Sequence, residues 1–175
     1  MAQAPNINNY FIGKGIVSWQ PLGVGPFIDL GNCPKFEFTP KPETKKHYSS
    51  RTPIRAVDQF VQLTKEASLA FGLDEINPQT LALATSGSIT TDTAGNVVIG
   101  IMDVPLLRGA VKLVGTQTYG NKFTATFFNV VFYSNKPLAF IGDDYMTADL
   151  EAEVLFSAVN NAFGHFEQTL DSGTV

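Results

Sequence analysis

Apolar and polar residues alternate with a two-residue period in several short stretches of this chain. "EASLAFGL" (66–73) is the clearest: Ala67, Leu69, Phe71 and Leu73 fall on one side, and Glu66, Ser68, Ala70 and Gly72 on the other. That is the pattern of a strand with one face buried. "TADLEAEVLF" repeats it, with Ala148, Leu150, Ala152, Val154 and Phe156 set against Thr147, Asp149, Glu151 and Glu153. Shorter strands are expected near Gly15 to Trp19, in "GPFIDLGN" and "KFEFT", broken at Gly31-Asn32, and in "NVVIGIM", "AVKLVGTQT" and "FTATFFNVVFY". "TAGN" (93–96) and "YGNK" (119–122) separate the last three as hairpin turns. One segment has helical signals instead. In "NPQTLALATSG", Asn77 suits an N-cap, Pro78 the first helical position, and Gly87 a left-handed end. Such a helix would bury Leu81 and Ala84, with Leu83 toward one edge. These elements predict a mainly β chain: a two-sheet β-sandwich or barrel with one short flanking helix, a single domain over 1–175 with an N-terminal arm at 1–12.

The alternation fails over "TPKPETKKHYSSRTPIR" (39–55), which has two prolines near one end, a Ser-Ser pair and little that could enter a core. It is expected to be an extended basic loop between two strands, of a length that in a compact domain is usually functional or disordered. Its charge changes the picture of the whole chain, whose formal net charge is only −4. From Lys35 to Arg55 there are six cations (Lys35, Lys41, Lys45, Lys46, Arg51, Arg55) against Glu37 and Glu43. From Pro137 onward there are seven anions (Asp143, Asp144, Asp149, Glu151, Glu153, Glu167, Asp171) and no Lys or Arg. Separated blocks of opposite sign steer association, either with a partner or with another copy of the same chain.

Composition narrows the classes further. At 44% hydrophobic and 16% charged the chain is globular. The single Cys33 excludes an internal disulfide framework. The N-terminal "MAQAPNINNYF" lacks the basic start and apolar run of a signal peptide, and no stretch approaches 18 consecutive apolar residues, so cytosolic synthesis without a membrane span is expected. Motifs for chemistry are weak. His165-Phe166-Glu167 copies part of a zinc-deaminase signature, but the P-C-x-x-C that would supply the other ligands is missing. Gly13-Lys14-Gly15 and Gly23-Val24-Gly25 lack the ending of a phosphate loop, and Pro26 removes a donor N–H where a cradle would need one. Asp149, Glu151 and Glu153 share one face of a strand and could offer oxygen ligands to a hard cation, yet no glycine-hinged ligand loop accompanies them. The basic loop has one aromatic, Tyr48, in an acidic protein, a poor footprint for nucleic-acid binding. Neither an enzyme nor a cofactor is expected.

The series "NNYFIGKGIVSW", "GNCPKFEFTPKPETKKHYSSR" and "KEASLAFGLDEINPQTLALATSG", in this order, resembles the major tail tube proteins of long-tailed (siphovirus-type) bacteriophages. The corresponding features are Tyr10 to Gly15, the Gly31-Asn32 turn, the charged stretch Lys41 to Arg51, and Glu66 to Ala84. The resemblance covers the first half of the chain; the second half agrees in strand pattern and length. It implies the tube fold shared with type VI secretion tube proteins. It also implies a virion structural protein, made in the host bacterial cytoplasm, whose copies form stacked and hexameric rings around a tape-measure protein.

Under this resemblance Lys41, Glu43, Lys45, Lys46, His47, Tyr48, Ser49, Ser50, Arg51 and Arg55 would make the inter-subunit and inter-ring contact. Asp149, Glu151 and Glu153 would form either a lumen lining or an acidic interface. The implied partners are the chain itself, the tape-measure protein, and the tail terminator and tail tip proteins. Genomic DNA would be met only in passage, and no membrane is implied. The competing readings are a head–tail joining or tail terminator ring protein, a monomeric small-ligand β-barrel, and an acidic metal-dependent hydrolase.

Overall fold

The computed structural model describes residues 5, 9–11, 13–22, 25–51, 53–116, 121–133 and 135–169. The expected arm at 1–12 and the turn at 119–122 fall largely outside the described residues. In chain order the elements are β1 (Gly15–Pro21), β2 (Ile28–Asp29), β3 (Lys35–Tyr48), β4 (Val57–Leu73), α1 (Pro78–Thr85), β5 (Ile89–Thr91), β6 (Val97–Ile99), β7 (Arg108–Gly115), β8 (Lys122–Phe132), β9 (Ala148–Val154) and β10 (Gly164–Thr169). The protein is mainly β with one short helix, as its alternation predicts.

Pairing is antiparallel throughout, in the order β2-β1-β7-β8-β9-β4-β3, with β5 and β6 as a separate hairpin. β8 is the branch point. Its first half, Lys122–Phe127, pairs with β10, and its last residues, Val130–Phe132, pair with β9. The sheet therefore splits into two layers that fold over one another, sandwich-like, without closing into a barrel. Aromatic contacts fill the space between the layers. Trp19 meets Phe132 edge-on at 5.0 Å, Phe132 meets Phe71 at 5.9 Å, and Phe71 stacks on Phe36 at 5.4 Å. Phe38 then crosses from β3 to Phe127 of β8 at 5.3 Å. The alternating residues of β4 and β9 supply the rest: Ala67, Leu69, Phe71, Leu73, Ala148, Leu150, Ala152 and Val154 are all buried. Phe156, expected to continue that face, is half exposed, because β9 stops at Val154 and the chain turns to pair Ser157 with Ala162.

α1 begins as its sequence predicts. Asn77 is the N-cap, its side chain accepting from the Thr80 N–H at 2.9 Å, and Pro78 occupies the first turn. Its buried face differs from the expected one: Thr80, Ala82 and Leu83 are buried, while Leu81 and Ala84 are only partly so. The reason is polar. The Thr80 hydroxyl lies 3.4 Å from the carbonyls of both Leu30 and Glu75, and the Asn77 amide donates to Leu30 O at 3.2 Å, which turns the threonine inward. The left-handed residue at the C-terminal end is Ser86 rather than Gly87. Gly87 is needed for a different reason, since a Cβ there would collide with the carbonyl of Gly100.

The largest difference from expectation lies at 39–55. Residues 39–48 are not loop but the outer half of β3, and the true connection to β4 is only 49–56. Prolines and cations concealed the strand, because both are uncommon inside sheets. β3 tolerates them as an edge strand, paired only with β4, where Pro40 and Pro42 remove donors from the uncovered side.

Candidate assembly surface

β4 pairs with β9 only from Ala67 to Leu73, so among the described residues Val57–Glu66 are held by β3 alone. At about 3.3 Å per residue these ten residues carry a two-stranded ribbon roughly 30 Å out from the body. The register shifts by one residue after Glu43 and again after His47, leaving Leu63 and Asp58 as extra residues on β4. Such bulges bend a ribbon and increase its twist. The faces follow from the register. The core pairs Phe36–Phe71, Phe38–Leu69 and Pro40–Ala67 continue outward as Pro42–Lys65, Thr44–Gln62, Lys46–Phe60 and Tyr48–Val57. The opposite face carries Lys41–Glu66, Glu43–Thr64, Lys45–Val61 and His47–Gln59.

The ribbon thus extends the core face beyond the core. Tyr48, Val57, Phe60, Val61 and Leu63 are exposed along it, Phe60 at 61% of its surface. Five large apolar side chains are thus exposed on a hairpin that no other described strand flanks, an unusual amount of apolar surface for so small a projection. Their signal was present in the sequence as "AVDQFVQLTK", but the two bulges break its strict alternation.

The predicted contact residues are spread along this ribbon. Lys41, at its root, reaches Glu153 on β9 with Nζ 3.3 Å from Oε1. Glu43 accepts from the Thr64 hydroxyl at 3.5 Å. His47 Nδ1 lies 2.5 Å from the Asp58 carboxylate, which pins one bulge. In the turn, the Ser49 N–H donates to Ala56 O at 3.0 Å and its hydroxyl oxygen accepts from the Arg51 N–H at 3.4 Å. Ser50, Arg51 and Arg55 are exposed at the tip. Lys45, Lys46, Arg51 and Arg55 form no ion pair with any described residue.

Asp149, Glu151 and Glu153 do share one face of β9, opposite Gly72, Ala70 and Ser68 of β4, and this outward face is not a bare acidic row. Glu151 pairs with Lys136 at 3.0 Å and Glu153 with Lys41. The Tyr133 hydroxyl lies 3.5 Å from Glu153, and its pKa is raised by burial and then by the negative charge of Glu153 and Glu151. Lys136 and Tyr133 escaped sequence reasoning because nothing local links them to β9. Among the described residues no cluster of three or more His, Cys, Asp or Glu could hold a metal ion. His165 packs its ring 5.3 Å from that of Phe128 on the β8–β10 pair. No helix of the described residues is long and apolar enough to cross a membrane.

Two stretches that carried the sequence resemblance meet in space. The Asn32 side chain donates to Asp74 at 2.7 Å, its N–H donates to Glu75 at 3.1 Å, and Asp74 N–H returns to Asn32 O at 3.2 Å. Gly31, at φ 88°, makes the turn possible. This clamp fixes the start of β3 against the end of β4, at the opposite end of the strand pair from the ribbon.

No curated protein matches the chain. Among solved structures, a chain in "Cryo-EM structure of the anti-feeding prophage (AFP) baseplate, 6-fold symmetrised" superimposes with a TM-score of 0.45 at 10% identity, over 95% of this chain and 97% of that one. A family described as "Protein of unknown function UCP028589" matches residues 10–113, more than half of the sequence, and the chain belongs to that family.

Proposed function

We propose that this protein is a non-enzymatic structural subunit that polymerises with copies of itself, as the major tail tube protein of a long-tailed phage. The observation that carries the reading is the ribbon: a projecting hairpin with exposed apolar residues and four cations that no described carboxylate neutralises. In a lone monomer such a projection costs solubility and gains nothing. In a polymer it supplies a heterologous contact, in which one patch of each subunit meets a different patch of the next, and such contacts build rings or filaments. The ordered sequence resemblance to tail tube proteins supplies the particular assembly: stacked, hexameric rings, with a genome passing through the bore. Ring closure would use sheet edges, and the outer edge of β10, uncovered by any described strand, offers one.

The test is to concentrate the purified protein and inspect it by negative-stain microscopy. Long hollow tubes are the expected result. Isolated rings that never stack would instead identify a tail terminator or head–tail joining protein, and monomers at every concentration would overturn self-assembly and favour the small-ligand barrel.

A further inference from the structure

A projecting hairpin needs a seat, and the β9 carboxylates that its charge first suggests are already partnered within the chain, Glu153 by Lys41 and Glu151 by Lys136. The segment between β8 and β9 supplies that Lys136 at its start, but the carboxylates farther along it have no such partner among the described residues. Residues 135–147 contain no helix or strand. Leu138 and Met146 are half-buried and anchor the two ends, while between them Phe140, Ile141 and Tyr145 project at 72%, 97% and 95% exposure. Asp143 and Asp144 stand among these side chains, exposed, and neither forms an ion pair with any described residue. Exposure of three large apolar residues within six positions, two of them almost completely, marks an interaction surface.

The strand register says where this surface lies. β9 runs antiparallel to β4, with Ala148 opposite Leu73 and Val154 opposite Ala67. The ribbon leaves the sheet beyond Ala67, so the segment entering β9 at Ala148 sits at the other end of the same strands. One pole of the molecule therefore bears apolar side chains with unneutralised cations, and the opposite pole bears apolar side chains with unneutralised carboxylates.

We infer that the 135–147 segment is the seat for the ribbon of a second copy of this chain, with Asp143 and Asp144 receiving Lys46 while Phe140, Ile141 and Tyr145 cover Phe60 and Val57 on the same ribbon face, and with Lys45 on the reverse face adding to the ribbon's positive charge. This rests on the self-assembly reading and specifies its acceptor. Opposite poles carrying complementary surfaces make the contact head-to-tail, the geometry that propagates without limit along one axis. The two kinds of side chain divide the work. Charges select partner and register, and the apolar groups lose water when they meet.

The experiment compares full-length variants by light scattering and negative-stain microscopy. Asp143→Lys with Asp144→Lys, and separately Lys45→Glu with Lys46→Glu, should each raise the concentration needed for assembly by roughly tenfold or more, with circular dichroism unchanged. Mixed in equal amounts, the two variants should assemble again, because each ribbon then meets a seat of opposite charge. Phe140→Ser with Ile141→Ser should weaken assembly at high salt as well, where the ionic part is screened. Wild-type tubes together with undiminished assembly of the Asp143→Lys, Asp144→Lys variant would overturn this seat while sparing the self-assembly reading. Failure of the two charge variants to rescue one another would also overturn it. A wild-type chain that never assembles would overturn both.

Discussion

β4 is a single strand of 17 residues with two fates. Its inner half, from Ala67 to Leu73, pairs on both sides and buries alternate residues in the core, Phe71 against Phe132 of β8. Its outer half, from Val57 to Glu66, carries four large apolar residues against the inner half's three, but has a strand on one side only and no layer above it among the described residues. Both halves are extended strand, apart from the two bulges in the outer one, so the main difference comes from what covers them. Burial in the inner half is completed by folding; burial in the outer half is left for another molecule. A two-stranded ribbon is at best marginal alone in water, and this one holds its shape because its root continues into a full sheet.

That contrast is sharpest in a pair of truncations. Phe71→Ala removes a ring packed on Phe36 and Phe132 and should cost about 3–5 kcal/mol in chemical denaturation. Phe60→Ala, equally a phenylalanine of β4, should change monomer stability by no more than about 0.5 kcal/mol while suppressing assembly. Equal destabilisation by both would mean that the ribbon packs on its own body. A smaller effect is expected at the pole opposite the ribbon. Asn77→Ala removes the cap of α1 and its bond to Leu30 O, for about 1 kcal/mol in the same measurement. At the ribbon root, Lys41→Ala breaks an exposed pair with Glu153 and should cost less than about 1 kcal/mol, an effect that fades as salt is added. Least affected should be Cys33 in an unmodified chain. Burial pushes its thiol up to about 11, so alkylation at neutral pH should be slow in the folded protein and accelerate only as pH approaches that value.

The inner half of β4, all of β9 and the cap of α1 were legible in the sequence because each has a strong local rule. A strand with one face buried cannot shift register without turning its whole apolar set to water, so its alternation is strict. The ribbon was hidden for the converse reason. With no layer above it, nothing enforces period two, and the bulges at Asp58 and Leu63 shift the phase twice. Pro40, Pro42, Lys45 and Lys46 then read as loop, although β4 supplies the ladder that holds them extended. β10 was missed likewise: His165–Thr169 are mostly exposed, and only the pairing of Phe166 with Ala125 and its ring contacts to Phe38 and Phe127 reveal the strand. The basic character of 39–55 and the acidity beyond Pro137 were plain from composition. What composition could not show is that Glu151 and Glu153 pair with Lys136 and Lys41 of the same chain, while Asp143 and Asp144 form no ion pair with any described residue.

Self-association is the claim on which the reading of both halves of β4 depends, and sedimentation velocity over a wide range of protein concentration and ionic strength tests it most directly. The expected result is a species of 19.0 kDa only at the lowest concentrations, giving way to large assemblies as concentration rises, with the transition displaced upward by salt and by Lys45→Glu, Lys46→Glu. A single 19.0 kDa species under every condition would contradict it.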